Sequence, residues 1–307
     1  MNVIDLFAGA GGSTTGALAA GCNVLWAANH WPAAVTIHGM NHPEVQHACQ
    51  DLHQANWMDV PAHDLMLASP CCQGHSKAKG KENRATHDAS RSTAWAPVSC
   101  AEFHRSPFFI IENVAEFQEW VLFPAWKVAM EALGYSLSFL MLDAADFGVP
   151  QHRVRLFIIG SLSKNPITLN LEPFKKPLVS AKSVIDFAAG KWSLVNKIGR
   201  SPNTIERIVN GRRQFGERFV APYYSHGSGK TGRCLSRPIG TITTRDRWAV
   251  VDGDYMRMLT KDEYRSFMGF PVTYRLPSTK RDTVFMLGNA VCPPVMEALV
   301  GSLKAAA

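Results

Sequence analysis

The sequence predicts an α/β fold with a doubly wound, mostly parallel sheet and a smaller, basic lobe of irregular structure. Short apolar segments, typical of buried strands, alternate with helix-like stretches over the first 160 or so residues. A glycine-rich turn directly follows the first of these strands. From about residue 161 to 253 the periodicity weakens, and Gly, Ser, Pro and basic residues become frequent. This change in pattern predicts the second lobe.

The individual elements follow from their composition. Strands are predicted at 3–7, 24–28, 64–68 and 108–111, the last a continuous apolar run expected in a sheet covered on both faces. Helices are predicted after the glycine turn through residue 18, at 32–40 and at 121–133. Near the end of the chain, Thr260 is a candidate N-cap, and Glu263 completes a capping box with it.

Length and composition limit the class of protein. A chain of 307 residues with 46% hydrophobic content can bury a large core, as one domain or one domain and a smaller lobe. No run of eighteen apolar residues occurs, and the N-terminus lacks the layout of a signal peptide. The seven cysteines form no CxxC pair or repeated spacing, which favours a reducing compartment over a disulfide framework. We therefore expect a cytoplasmic protein without a membrane span or a cysteine-based zinc site.

The charge is unevenly distributed. The net charge is +7, and residues 162–240 hold fourteen Lys and Arg against four Asp and Glu. The rest of the chain is therefore slightly acidic. Such a concentration of basic residues favours a polyanionic partner, of which nucleic acid is the most common.

A first candidate site lies where the predicted strands end. The segment Asp5-Leu6-Phe7-Ala8-Gly9-Ala10-Gly11-Gly12-Ser13 runs from a strand through a glycine turn into a helix, which suits an anionic or nucleotide-like ligand, although a tight turn alone has the same pattern. The second strand ends at His30 and Trp31, where ribose and base contacts occur in such folds. Trp31 could instead belong to the core, and Asp51 is either a helix cap or a ligand for an amino group.

A second candidate site is a cysteine loop after the strand at 64–68. The loop reads Ala68-Ser69-Pro70-Cys71-Cys72-Gln73-Gly74-His75-Ser76. A thiol at the carboxyl end of a strand is well placed for nucleophilic chemistry, whereas a lone cysteine is more often a small buried hydrophobe. The basic segment 76–93 that follows is predicted to be a loop.

Six motifs in one order closely resemble the DNA carbon-5 cytosine methyltransferases. They are Phe7-x-Gly9-x-Gly11, Pro70-Cys71-Cys72-Gln73, Glu112-Asn113-Val114, Gln151-x-Arg153-x-Arg155, Arg237-Pro238-x-x-Thr241 and Gly288-Asn289-Ala290-Val291. They reach both ends of the chain and leave out only the variable lobe from roughly 164 to 235. The resemblance implies a methyltransferase of Rossmann-like fold that takes its methyl group from S-adenosyl-L-methionine.

The resemblance also implies roles for single residues. The implied catalytic set is Cys72, Glu112, Arg153 and Arg155. Cys72 would supply the thiolate that adds to carbon 6 of cytosine, and Glu112 would contact N3 and the exocyclic amine. Arg155 would contact the oxygen at position 2, and Arg153 would help support the loop. Glu112 would need a raised pKa to donate a proton near neutrality. Matching Pro-Cys would select Cys71 as the nucleophile. The longer match Cys-Gln-x-x-Ser selects Cys72, which we expect to be the nucleophile.

Further residues are expected to bind cofactor and DNA. The expected cofactor ligands are Phe7, Gly9, Gly11, Gly12, His30, Trp31, Asp51, Leu52, Asn289 and Ala290. The expected DNA contacts are Gln73, Ser76, Lys77, Arg212, Arg213, Arg237 and Thr241. Residues 1–163 and 254–307 would form the catalytic domain, and 164–253 the target-recognition domain. The resemblance implies a double-stranded DNA substrate whose target base would be flipped out of the stack.

Two departures from the family pattern and three alternatives remain. His30 stands where the family has an acidic ribose ligand, and His75 occupies a position that is often Phe in the family.

A metal site at His38, His42 and His47 is disfavoured because no carboxylate ligand or water-activating glutamate follows them. An RNA cytosine-5 methyltransferase and an inactive DNA-binding regulator are the alternative functions. The expected state is a monomer, with a cognate restriction endonuclease as a candidate partner.

Overall fold

The chain forms two compact units, each of which combines segments that are distant in sequence. The computed structural model describes residues 1–71, 92–223 and 230–307. The first unit comprises Met1–Asp143, Val154–Lys175 and Val291–Ala307. The second comprises Ala144–Arg153 and Lys176–Ala290.

The first unit is built on a seven-stranded sheet. Its strands are β1 (Asn2–Leu6), β2 (Asn23–Asn29), β3 (Gln46–Cys49), β4 (Leu65–Ala68), β5 (Phe108–Asn113), β6 (Ser136–Asp143) and β7 (Val154–Ser161). They lie in the order β3-β2-β1-β4-β5-β7-β6. β7 runs antiparallel to both of its neighbours, and the remaining neighbours pair in parallel. The predicted doubly wound, mostly parallel sheet is therefore confirmed.

The described residues form eight α-helices, each of which lies within one of the two units. The α-helices of the described residues are α1 (Gly12–Ala19), α2 (Pro32–Asn41), α3 (Trp95–His104), α4 (Phe123–Ala132), α5 (Pro202–Phe215), α6 (Lys261–Phe267), α7 (Lys280–Asn289) and α8 (Pro293–Ala306). In the first unit Phe109, Phe117 and Trp126 are fully buried in the core. The indole Nε1 of Trp126 donates to the carbonyl of Ala94 (2.9 Å), which attaches α4 to the segment before α3.

The second unit has a four-stranded antiparallel sheet with α5 against it. The strands β8 (Ser193–Leu194), β9 (Arg218–Pro222), β10 (Trp248–Asp252) and β11 (Tyr255–Met258) lie in the order β8-β11-β10-β9. Ile208 of α5 packs in one buried cluster with Phe219, Ala249 and Val251 of the sheet. A helix on an antiparallel sheet buries one face of each element.

Several predictions of local structure are confirmed, and several elements were missed, among them β3, α3 and β7. Thr260 caps α6, and Glu263 closes the predicted capping box. β6 was not predicted, and α5 was assigned to short strands and loops. The buried positions of α5 are Thr204, Ile208 and Gly211, which have helical spacing. Only one of these three is a large apolar residue, so the sequence shows no clear apolar stripe there.

The boundaries of the two compact units differ from the predicted boundaries of the catalytic and target-recognition domains. β11 pairs with β10, so residues 254–290 belong with the second unit, whereas residues 164–175 belong with the first. The functional boundaries at 163 and 253 remain a prediction.

Among the described residues, Lys280–Ala306 is long and apolar enough to cross a membrane, judged by length and composition alone. Of its most apolar 18 residues, 72% are buried inside the protein. It contains α7 and α8, between which residues 290–292 are not helical. These are core helices, and they indicate no membrane span.

Candidate active site

The glycine turn after β1 has the backbone conformation that its sequence requires. Phe7 has a φ of 61°, an uncommon left-handed conformation for a bulky residue, and Gly11 follows with a φ of 74° as the N-cap of α1. The Gly11 N–H donates to the carbonyl of Ala8 (2.8 Å), which closes the turn. Gly9 is half-buried, and Gly11 and Gly12 are buried. The turn therefore presents backbone at the carboxyl end of β1.

The end of β2 lies at the same edge of the sheet. β1 and β2 are parallel, with Leu6 opposite Ala28, so Phe7 and Asn29 lie side by side at the carboxyl edge of the sheet. The side chain of Asn29 accepts a hydrogen bond from the backbone N–H of Trp31 (2.9 Å), and α2 starts at Pro32. His30 is exposed and Trp31 half-buried. The strand order reverses between β2-β1 and β4-β5, and ligands bind at such a switch point in open α/β sheets.

Asp51 follows β3 and caps a short 3₁₀ turn, Leu52–Gln54, in which Leu52 is buried. Its Oδ1 accepts from the backbone N–H of His53 (3.0 Å) and from His53 Nδ1 (2.8 Å). The hydrogen bonds from His53 hold the pKa of Asp51 below its usual value, and the charge of His30 acts in the same direction. His53 Nε2 lies 2.9 Å from the hydroxyl of Ser92.

The histidines considered for a metal site form a hydrogen-bonded network under the glycine turn. His38 Nδ1 lies 2.7 Å from His47 Nε2, and His38 Nε2 lies 3.0 Å from the hydroxyl of Thr14. Thr14 in turn donates to the buried carboxylate of Asp5 (2.7 Å). Burial raises the pKa of Asp5 to about 7 and lowers that of His42 to about 4. Both ring nitrogens of His38 thus have partners, and no group within the described residues has the geometry of a metal site.

The backbone before the expected nucleophile is held from two sides. Asn113 Nδ2 donates to the carbonyl of Pro70 (3.3 Å), and the Cys71 N–H donates to the hydroxyl of Thr93 (3.0 Å). Cys71 itself is half-buried. The expected site residues Cys72, Gln73, Ser76 and Lys77 lie outside the described residues, as does His75, so their roles remain predictions.

Glu112 and Arg155 form an ion pair at the ends of adjacent strands. The Nε of Arg155 lies 3.3 Å from Oε1 of Glu112, and both side chains are mostly buried, with 17% and 8% exposed. Glu112 is on β5 and Arg155 on β7, which pair in the antiparallel register Asn113 to Leu156. The two side chains expected to contact the cytosine ring are therefore neighbours.

In the second unit, the Arg153 guanidinium contacts three backbone carbonyls. Its guanidinium donates to the carbonyls of Ile242 (3.0 Å), Gly288 (3.0 Å) and Ala290 (2.9 Å). The last two flank Asn289, which is exposed, while Ala290 is buried. A Cβ on Gly288 would lie 2.4 Å from the carbonyl carbon of Thr243, so this position requires glycine. These contacts link Arg153 to the Gly288–Ala290 segment, and its role in supporting the active-site loop remains a prediction.

The neighbouring motif residues also make contacts within the second unit. Gln151 accepts from the N–H of Ile242 (2.6 Å) and donates to the carbonyl of Phe267 (3.0 Å). The hydroxyl of Thr241, expected at the DNA, donates to the carbonyl of His152 (2.9 Å). Arg237 is exposed.

The two arginines of α5 differ in their contacts. Arg212 binds Asp254 (3.1 Å), Glu217 (3.5 Å) and the carbonyl of Gly253. Arg213 is exposed and makes no hydrogen bond or ion pair with residues that the structure describes. Arg213 is thus the better candidate for a phosphate contact.

Three contributors to this site were missed from the sequence: His53, Ser92 and Thr93. All three lie outside the matched motifs, and their partners are reached only through folding. The spacing of His53 from Asp51 was the one available signal, because a side chain two residues after a capping aspartate can reach back to it.

Comparison with known proteins identifies the family. The model of the C-5 cytosine-specific DNA methylase family matches residues 1–305. The chain belongs to this family. It is accordingly a DNA (cytosine-5) methyltransferase, and the predicted resemblance is confirmed.

Relatives support this assignment along nearly the whole chain. The type II methyltransferase M.NlaX of Neisseria lactamica is 26% identical, with 99% of this chain and 96% of the relative covered. The type II methyltransferase M.HaeII of Haemophilus aegyptius is 27% identical, over 98% and 92%. The crystal structure of a prophage-encoded DNA modification methyltransferase of E. coli superposes with a TM-score of 0.72 at 21% identity, covering 100% of this chain and 99% of that one. This last likeness supports the methyltransferase fold.

Proposed function

We propose that this methyltransferase transfers a methyl group from S-adenosyl-L-methionine to carbon 5 of a cytosine flipped out of a short, specific duplex sequence, through a covalent adduct with Cys72. The observation that carries the proposal is the Glu112–Arg155 pair (3.3 Å) on β5 and β7. Asn113, the residue after Glu112, holds the carbonyl of Pro70 in the cysteine loop. The acid, the arginine and the backbone leading to the thiol thus belong to one connected group.

The chemistry requires these residue types. Carbon 5 of cytosine is a poor nucleophile, so the Cys72 thiolate first adds to carbon 6 and a C–S bond forms. In the ion pair the charge of Arg155 favours the ionised form of Glu112, so proton donation requires the guanidinium to turn from Glu112 to the cytosine oxygen at position 2. Glu112 then assists by donating a proton at N3, and Arg155 stabilises that oxygen. Carbon 5, which this addition makes nucleophilic, then takes up the methyl group. Loss of the carbon-5 proton and release of the thiolate from carbon 6 restore the aromatic ring.

The residues at the carboxyl edge of β1 to β3 fit an adenosine-containing methyl donor. The glycine turn has no side chains at Gly9, Gly11 and Gly12 to keep a ligand from the backbone at the start of a helix. Trp31 is a half-buried aromatic that could stack on a base, and Asp51 is an acceptor for an amino group. When bound, the cofactor supplies an electrophilic methyl group. His30 would hold a ribose hydroxyl as a neutral partner, where the family has an acidic ligand.

DNA recognition is proposed for the basic lobe, 164–253, and the basic segment after Ser76. Exposed basic residues such as Arg213 and Arg237 would contact phosphates, and the flipped base would enter the site at Glu112. We expect the enzyme to act as a monomer in the bacterial cytoplasm. A restriction endonuclease of the same system is the proposed partner, since relatives of similar length are type II methyltransferases.

Methyl transfer from tritiated S-adenosylmethionine tests the proposal directly. Duplex DNA should be labelled, and tRNA should not. Bisulfite sequencing of a plasmid from expressing cells should then show methylation at one short sequence. Labelling of tRNA alone would favour the RNA methyltransferase, and DNA binding without labelling of either substrate would favour the regulator.

The nucleophile is tested with matched variants of the adjacent cysteines. Cys72→Ser should abolish transfer, while Cys71→Ala should retain substantial activity. A duplex with 5-fluorocytosine at the target should trap the covalent adduct, because fluorine cannot leave as a proton does. An adduct mapped to Cys71 by peptide mass spectrometry would contradict the assignment.

A further inference from the structure

We propose that His53 is a positioning residue for the cofactor, which orients the carboxylate of Asp51 toward the amino group of adenine. The inference rests on the proposed function, in which Asp51 accepts from that amino group. His53 Nδ1 and the His53 backbone N–H both bind Asp51 Oδ1, at 2.8 and 3.0 Å. Its other ring nitrogen lies 2.9 Å from the hydroxyl of Ser92. The imidazole thus bridges two segments 39 residues apart.

The chemistry of the three groups fixes the direction of these hydrogen bonds. A carboxylate only accepts, so Nδ1 of His53 is protonated and its N–H donates a hydrogen bond to Asp51 Oδ1. In the neutral imidazole Nε2 is then an acceptor, and the Ser92 hydroxyl donates to it. When the imidazole is protonated, the hydroxyl can rotate and accept instead. The bridge therefore persists in both charge states of His53.

The arrangement leaves one oxygen of Asp51 for a ligand. Both donors of His53 bind Oδ1, and Oδ2 makes no hydrogen bond with residues that the structure describes. The side chain of Asp51 is 58% exposed. The hydrogen bonds from His53 lower the pKa of Asp51, which shows that these contacts favour the ionised carboxylate, the form that accepts from a ligand. An exposed carboxylate without such a clamp would lose more rotational freedom on binding a ligand.

Ser92 is anchored to the core and can therefore hold the imidazole. Two residues further on, the carbonyl of Ala94 accepts from the indole of the fully buried Trp126. The adjacent Thr93 accepts from the backbone N–H of Cys71. Site geometry is more precise when supporting hydrogen bonds fix the ligating side chain. The Ser92–His53 hydrogen bond fixes the imidazole, and the imidazole in turn fixes the carboxylate of Asp51, which caps a short turn.

Two substitutions separate the two halves of the bridge. In His53→Asn, an amide at the position of Nδ1 can still donate to Asp51, while the contact with Ser92 is lost. In His53→Gln, the amide is at the position of Nε2 and can still reach Ser92, while the side-chain bond to Asp51 is lost. Gln54→Ala, an exposed neighbour in the same turn, is the control.

The measurement is calorimetric binding of S-adenosylhomocysteine and of S-inosylhomocysteine, in which a carbonyl replaces the adenine amino group. Wild type should prefer the adenosyl compound. His53→Gln should lower affinity for it by about fivefold, the equivalent of one hydrogen bond, and change affinity for the inosyl compound less than about twofold. His53→Asn and Gln54→Ala should retain most of the preference.

The outcomes distinguish the inference from the proposed function. If His53→Gln weakens both compounds equally, or neither, His53 does not act through the amino group and the inference is wrong. If wild type binds S-adenosylhomocysteine no better than the inosyl compound, Asp51 is not the adenine ligand. If wild type binds neither compound, the proposed cofactor is wrong, and the inference fails with it.

Discussion

Glu112 and Arg155 face each other across the β5–β7 pair, with 3.3 Å between a carboxylate oxygen and Nε of the guanidinium. We predict that Glu112→Gln lowers the rate of methyl transfer at least about a hundredfold, because the isosteric amide cannot deliver a proton to the ring. Single-turnover transfer to a short duplex is the measurement. DNA affinity, from filter binding, should change less than about threefold. A variant within about fivefold of the wild-type rate would remove Glu112 from the chemistry.

A second prediction concerns the buried guanidinium of Arg153. Arg153→Lys cannot reach the carbonyls of Ile242, Gly288 and Ala290 together, so buried acceptors lose their partner. We expect a loss of about 3 kcal/mol in the free energy of unfolding, measured with urea. Arg213→Lys, at an exposed position, is the matched control and should change stability less than about 0.5 kcal/mol. Equal stability of the two variants would contradict the structural role of Arg153.

A third prediction concerns Thr93, whose hydroxyl accepts from the N–H of Cys71 (3.0 Å). Thr93→Val keeps the shape and removes the acceptor, so the backbone that leads into the nucleophile is less well held. Methyl transfer should fall about fivefold, as for one hydrogen bond, and Thr93→Ser should restore it. The same ordering should appear in the rate of adduct formation with 5-fluorocytosine. Equal rates for the Val and Ser variants would mean that this hydrogen bond does not matter.

The strand-end motifs were predictable because a parallel sheet brings its carboxyl ends to one edge. Phe7, His30 and Ser69 follow strands whose pairing the βαβ rhythm predicts, so a local pattern was enough. Glu112 and Arg155 were found by their motifs, but their ion pair depends on the register of two antiparallel strands. Composition and motif matching carry no information on that register.

Contacts between distant segments could not be predicted. The sequence shows Arg212 as one of two adjacent basic residues, but its partner Asp254 is 42 positions away and becomes its neighbour only when α5 packs on the sheet. The excess of basic residues in the lobe therefore overstates the number available to DNA. Likewise, the bond between His53 and Ser92 links the segment after β3 to the residues before α3, and no periodicity encodes it.

A fourth prediction separates these two arginines. Arg213→Ala should reduce the slope of log affinity for DNA against log salt by about one, as loss of a single phosphate contact does. Arg212→Ala should leave the slope nearly unchanged and lower stability instead, because its partners are Asp254 and Glu217. Fluorescence anisotropy with a labelled duplex at several salt concentrations gives both slopes. Equal slopes for wild type and Arg213→Ala would mean that Arg213 does not contact a DNA phosphate.

The last prediction concerns the buried histidine His63, whose two ring nitrogens both have partners. Nδ1 lies 2.8 Å from the carbonyl of Pro61, to which it must donate, and Nε2 lies 2.6 Å from the hydroxyl of Ser106. Burial lowers the pKa of His63 from 6.5 to about 4. Between these values the unfolded chain binds the proton and the folded chain does not, so stability falls as the pH falls through this window.

His63→Gln removes this titration and keeps a polar group near Ser106. The difference in unfolding free energy between wild type and variant should therefore shrink as the pH is lowered from about 7 to about 4, by up to about 3 kcal/mol. Comparing the two proteins is necessary because burial also lowers the pKa values of His38 and His42, which add the same pH dependence to both. Urea unfolding at intervals across this range is the measurement. A constant difference would mean that His63 has the same pKa in the folded and unfolded chain, and that burial does not keep it neutral.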